Sequence, residues 1–276
     1  MVRVGAQPTG LAAGAGSLWS ANSAAGTVSR ISPGRRRVVA TIAVGEAPSS
    51  ITFGAGAVWV GDFAAHALYR LDPATNRVVA TIPLQGPAAG IVRAPDGSIW
   101  VAEYSAGSVA RVDPTTNAVS SRLAVGGEAE ALAFAAGRLW VTNGAGYVSA
   151  VDPESGRRLA EIRLGRDVDA IVAAPDGLWA TTYYAGLVAR IDPARATVVR
   201  RLQLPGHASG VTFARGSVWV SDAGLDRVDR IDPVRARVVK AYAVDRIPRD
   251  LVPYGTGLWV VEQGSGKVRR LPLPRP

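Results

Sequence analysis

Seven tryptophans, Trp19, Trp59, Trp100, Trp140, Trp179, Trp219 and Trp259, follow one another at spacings of 40, 41, 40, 39, 40 and 40 residues, and they are all the tryptophans in the chain. A period near 40 that persists through 276 residues is the signature of a repeat architecture, in which each unit buries its apolar faces only against its neighbours. A second marker runs in phase with the first. It reads Ile31-Ser32-Pro33, Leu71-Asp72-Pro73, Val112-Asp113-Pro114, Val151-Asp152-Pro153, Ile191-Asp192-Pro193 and Ile231-Asp232-Pro233, and the seventh copy has become Leu271-Pro272-Leu273.

Each unit reads as four short strands. In the second, Ile51-Thr52-Phe53 is strand A, Val58-Trp59-Val60 strand B, Leu68-Tyr69-Arg70-Leu71 strand C and Val78-Val79-Ala80-Thr81-Ile82 strand D. Runs rich in β-branched residues, stopped by Gly, Pro, Asn and Asp, are strand-and-turn chemistry, and no long stretch has helical period. Four strands in about 40 residues, seven times over, predict an all-β, seven-bladed β-propeller with four-stranded blades. The seventh unit ends after strand C. The segment Val4 to Leu11 aligns with Val44 to Ile51, the end of a strand D and the loop after it, so residues 2–5 are expected to complete the last blade. That arrangement would remove an exposed sheet edge.

Composition fits one globular domain over residues 1–276: 48% hydrophobic, 19% charged, with 31 Gly and 18 Pro for turns. Cysteine is absent and only His66 and His207 are histidine, which excludes a disulfide scaffold, thiolate metal sites and a multi-histidine site. No apolar run nears the ~20 residues of a membrane span. The opening residues do not form a secretory signal, and the compartment stays open. Met1 stands directly before the first strand, as expected for a domain trimmed from a longer exported or tethered chain. The formal net charge of +9 rests almost wholly on arginine dispersed along the chain. It implies a weak polyanion contact on the arginine-bearing face. A monomer is expected.

Several stretches carry a resemblance. Leu139-Trp140-Val141-Thr142-Asn143, Val28-Ser29-Arg30-Ile31 and the segment Arg37-Val38-Val39-Ala40-Thr41-Ile42, repeated at 77–82, resemble the bacterial YVTN-type and virginiamycin B lyase-like propellers. The likeness spans essentially the whole chain. It implies that ligands sit on the face bearing the D–A and B–C loops. It also raises the activity of that lyase family, elimination in a macrocyclic ester with Mg²⁺ and a histidine base. The positions matching the family's histidines are Thr9, Ser49, Ala89, Glu130, Asp169, Ser209 and Arg249, none of them His, whereas Glu103 and Glu262 match its glutamate.

The variable positions within the repeat mark the candidate site. Three residues after each Trp stand Asn22, Asp62, Glu103, Asn143, Thr182, Asp222 and Glu262, and Tyr104 and Tyr183 come one residue later. Glu103, Glu128, Glu130 and Asp169 are expected to converge on one sector, where carboxylates hold a hard cation such as Mg²⁺ or Ca²⁺. Glu103 with Tyr104, Tyr183 and His207 is the matching ligand-binding set, suited to an organic cation. The reading is therefore a ligand- or protein-binding propeller of sensor or scaffold type. A Mg²⁺-dependent carbon–oxygen lyase is the alternative, and nucleic-acid or polyanion binding through arginine is the third.

Overall fold

The computed structural model describes residues 1–274. Among these there is no α-helix, and the strands form seven separate four-stranded antiparallel sheets, the blades of a propeller. Six blades take their strands consecutively, with first strands opening at Pro8, Pro48, Ala88, Ala129, Val168 and Ala208. The seventh opens at Pro248 and is completed by the N-terminal strand Val2–Arg3. Val2 pairs with Val268 and Arg3 with Lys267, and the Val4 amide donates to the Gly266 carbonyl at 3.0 Å. The strands run one to three residues longer at their ends than the apolar runs suggest. In blade 2 they span Pro48–Gly54, Ala57–Asp62, Ala67–Asp72 and Arg77–Pro83.

By internal contacts the chain divides into two compact units. Unit 1 is Met1–Ala129 with Val261–Arg269, and unit 2 is Glu130–Val260 with the residues from Arg270 onward.

In unit 1, strand B of blades 1 and 2 is buried along its whole length, and Trp19 and Trp59 have no exposed surface. Each indole N–H donates to the carbonyl five residues back, Gly14 at 3.1 Å and Gly54 at 3.0 Å, and so staples the A–B turn to the strand that follows. The turns themselves place two successive residues at positive φ, Ala15 and Gly16 at 48° and 68°, Ala55 and Gly56 at 48° and 73°. This is the hairpin geometry in which glycine at the second position avoids a Cβ clash.

The recurrent arginine of strand C lies across the ring of its own blade's Trp, Arg30 at 4.9 Å from Trp19 and Arg70 at 5.3 Å from Trp59. In sequence Arg70 stands two residues before Asp72, on the same strand face, which suggests a pair within the turn, while Arg30 has Ser32 at that position. Arg30 instead donates to the Pro73 carbonyl (2.6 Å) and Asn76 Oδ1 (2.8 Å) of the next blade, and Arg70 does the same to Pro114 and Asn117 at 2.7 Å each. The turn aspartate is occupied locally: Asp72 accepts from the Ala74 amide and the Thr75 hydroxyl, which hold its carboxyl below the usual range.

In unit 2 blades 4 and 6 repeat the indole bond, whereas in blade 5 Trp179 donates to Asp176 Oδ1 at 3.3 Å and Arg190 also turns to Asp176 of its own blade. Trp140 and Trp219 donate to Ala135 and Ala214 at 3.2 Å. Blade 4 has Ala150 where other blades carry the strand C arginine, and it has Arg138 at the start of strand B, where blades 1 and 6 have Ser17 and Ser217. Arg138 donates to the Pro193 carbonyl at 3.2 Å, the same cross-blade bond reached from a different strand.

Candidate functional site

The polar residue at the end of strand B is buried, and it serves the loops. Asp62 accepts from the amides of Glu46, Ala47, Ala64 and Ala65, tying the loop that enters blade 2 to the loop between its strands B and C. Asn22 bonds Thr27 and Ser29. Glu103 has no exposed surface, where the sequence places it on an open sector. It accepts from the Gln85 amide (2.8 Å), the Ser108 hydroxyl (2.6 Å) and Arg122 Nε (3.2 Å to each oxygen). Glu262 is likewise enclosed and ion-paired with Arg269. The physical reason is the demand of the loop amides. Where two loops turn at a strand end, their N–H groups need acceptors, and a short acidic or amide side chain supplies them.

The other residues picked out in the sequence fall on both units. In unit 1, Tyr104 packs against Phe63 with ring centroids 5.7 Å apart, Phe63 being 42% exposed, and Glu128 is exposed on the loop before blade 4. Unit 2 holds Glu130, Asp169, Tyr183 and His207. Among the described residues no three His, Cys, Asp or Glu side chains are grouped so as to hold a metal ion.

Unit 2 brings Asp169, Tyr183 and His207 into one corner, together with three residues that the sequence reading did not assign to a site. Asp169, Ser209 and Arg249 are the second residues of strand A in blades 5, 6 and 7, spaced 40 apart. They form a row. The Ser209 hydroxyl donates to Asp169 Oδ2 at 3.0 Å, and an Arg249 guanidinium N–H lies 3.4 Å from Ser209 Oγ as donor. Ser209 is buried, and Asp169 and Arg249 are half-buried. Burial pushes the Asp169 carboxyl above its ordinary range. Arg249 and the Ser209 hydroxyl oppose the shift, and Asp167 adds to it.

A wall of rings stands beside the row. Tyr183 and Tyr184 lie in the B–C loop of blade 5, their rings edge to face at 5.0 Å and 88°. His207, on the loop entering blade 6, is 5.0 Å from Tyr183 and 5.7 Å from Tyr184. The Arg249 guanidinium sits 5.0 Å from the Tyr183 ring centre, so the row and the wall touch. Backbone bonds fix the loops: Tyr183 donates to Asp167 at 2.8 Å, Ala223 to His207 at 2.9 Å, and His207 to Asp222 Oδ1 at 3.0 Å. Tyr184 remains 69% exposed, an aromatic surface offered to solvent. Chemically the corner presents a cationic donor, a hydroxyl and a carboxyl in series, flanked by an apolar face. Ser209 and Arg249 had a signal in the sequence, since they occupy the strand A position at which blades differ most. Tyr184 had only its adjacency to Tyr183.

No protein-family model matches the chain, and no curated protein matches it in sequence. Solved structures do match in three dimensions. Kuenenia stuttgartiensis hydrazine synthase superposes with a TM-score of 0.87 at 16% identity, over 97% of this chain and 96% of that one. Virginiamycin B lyase from Staphylococcus aureus gives 0.83 at 17% identity, covering 97% and 95%. A catalytically inactive variant of that lyase, solved with quinupristin, gives 0.82 at 18%, again over 97% and 95%. The resemblance in the repeats thus extends to the whole fold. At these identities it is a statement about architecture, which hosts unrelated activities.

Proposed function

We propose that the chain is a ligand-binding propeller whose site is the corner made by Asp169, Tyr183, Tyr184, His207, Ser209 and Arg249. Its ligand is a small organic molecule with an aromatic or flat face and an amide or amino-acid-like head. The observation that carries this reading is the contact between the row and the wall. A carboxyl acceptor and a guanidinium donor joined through one hydroxyl suit a head group that both donates and accepts. Tyr184 and His207 offer the adjoining face to stack on. The lyase alternative draws less support, because Glu103 and Glu262, the residues its motif singles out, are taken up by arginine and loop donors.

The test uses N-acetyl-tyrosinamide as probe, with acetamide as the ring-free control. A ligand that binds only the folded state raises the thermal midpoint by mass action. Wild type should show a saturable rise with the probe and none with acetamide. Tyr184→Ala removes an aromatic contact of about 1 kcal/mol and should weaken binding roughly fivefold. Arg249→Gln should weaken it further. A midpoint indifferent to the probe, or one that shifts equally in both variants and wild type, would refute the assignment.

A further inference from the structure

Blade 6 departs from the other blades in enclosing two acids; the single buried acid of blade 2, Asp62, is held by backbone amides alone. In blade 3 the buried Glu103 is matched by Arg122, and in blade 7 Glu262 is matched by Arg269. In blade 6 two acids are fully buried, Asp222 at the end of strand B (Ser217–Asp222) and Asp229 within strand C (Arg227–Asp232). The strand C position of Asp229 is Ser29, Tyr69, Ala110, Ser149 and Ala189 in blades 1 to 5. One cation serves both acids. Arg227 bonds Asp229 Oδ2 through its NH2 group at 3.0 Å and its Nε at 3.2 Å, and that Nε lies 3.5 Å from Asp222 Oδ2. Asp222 Oδ2 and Asp229 Oδ1 are left buried without a hydrogen-bond partner. Two carboxylates and one guanidinium sum to −1; both carboxylates are enclosed while Arg227 is partly exposed, and a buried charge short of its counter-charge is among the costliest features a fold can hold. A single proton removes the excess charge and turns one orphan acceptor into a donor.

The other oxygen of Asp222 fixes the ligand corner. Asp222 Oδ1 accepts from the amides of His207 (3.0 Å), Gly224 (3.2 Å) and Leu225 (3.1 Å), joining the loop that carries His207 to the B–C loop of its own blade. The approach is close: a Cβ at Gly206 would fall 1.9 Å from Asp222 Oδ1. We propose that Asp229 keeps a proton beside Asp222, that Asp222 is the positioning residue for His207, and that loss of the proton from Asp229 loosens the His207 loop and weakens the ligand corner. Only the last clause rests on the ligand-binding reading.

The groups facing Asp229 are few. Arg227 is on its own strand and Asp222 on strand B. Strands B and D present Val220 and Ala241 at the paired positions, and the loop before strand A brings Gly206 and the His207 amide against Asp222. Burial raises the Asp229 carboxyl, Arg227 opposes, and Asp222 raises it further. With a raised folded-state value, the stability contribution of Asp229 is complete at low pH and is lost as pH rises through its folded-state titration. Asp169 has the same sign, so global unfolding does not separate the two, and a local readout is required.

That readout is amide hydrogen exchange at His207, Gly224 and Leu225 from pH 5 to 9, corrected for intrinsic exchange. It is made on wild type, Asp229→Asn, Asp229→Ser (the residue of blades 1 and 4) and Asp169→Asn. Wild type and Asp169→Asn should lose at least tenfold protection across the range. Both Asp229 variants should stay flat at the wild-type acid level. Flat wild-type protection, or an equal loss in either folded Asp229 variant, overturns the proton on Asp229. N-acetyl-tyrosinamide affinity is measured on the same samples: a fall with pH in wild type but not in Asp229→Asn supports the coupling. Protection that changes while a measurable affinity stays constant overturns the coupling alone. Absence of probe binding at any pH is instead the failure of the ligand reading.

Discussion

At the scale of single residues, position in the repeat was legible in the sequence and orientation was not. The seven polar residues at the end of strand B could be found from their distance to the tryptophans. Whether Glu103 faces solvent or caps a loop depends on where the Gln85 amide and Arg122 arrive, and both come from other parts of the blade. This makes Glu103 a stability residue. Glu103→Ala should lower the unfolding free energy by about 2–4 kcal/mol, since it strands loop donors and leaves Arg122 unmatched; calorimetric or denaturant unfolding measures it, and a neutral variant would contradict the assignment. Asp169 behaves oppositely. Its carboxyl is raised by burial, so its contribution is full in acid and falls as pH rises through its folded value. Asp169→Asn should match wild type at low pH and unfold at a higher midpoint in alkaline solution, which a pair of melting series at pH 5 and pH 9 would show.

At the scale of the element, blades 1, 2 and 4 each send a guanidinium into the next blade. The Asp-Pro turns and the Trp grid were readable as punctuation, because turn chemistry and aromatic burial are local. The reach of Arg30 and Arg70 was not readable. The two-residue separation of Arg70 from the turn aspartate favoured a same-strand pair, whereas stacking on the indole directs the side chain past the strand end to the next proline carbonyl. Charge-assisted bonds to otherwise unpaired acceptors contribute about 1.5–3 kcal/mol when enclosed. Arg70 is half-buried, so Arg70→Ala should cost about 1 to 2 kcal/mol, and Arg70→Lys, whose shorter side chain lacks the planar group that stacks on Trp59, should recover only part. Recovery of full stability by lysine in chemical denaturation would show that charge alone matters. The exchange of Ala150 and Arg138 in blade 4 keeps the same bond, whereas in blade 5 Arg190 turns to Asp176 of its own blade.

At the scale of the molecule, seven blades and the N-terminal completion of the last were legible because both follow from counting strands. The proposed corner was only partly so: the sequence singles out Tyr183 and His207 as ligand-binding and Asp169 as a cation ligand, but the row through Ser209 and Arg249 exists only once strands A of blades 5, 6 and 7 lie side by side. Removal of residues 1–6 strips the strand that pairs with Lys267 and Val268 and exposes a sheet edge. The truncated chain should melt lower or aggregate in light scattering, and an unchanged monomer with an unchanged midpoint would contradict the role of that strand. The most direct measurement of the central claim is amide shift mapping of the isotope-labelled protein titrated with N-acetyl-tyrosinamide. The account predicts saturable shifts clustered at residues 167–169, 183–184, 207–209 and 249. Shifts concentrated elsewhere, or none at millimolar probe, would contradict it.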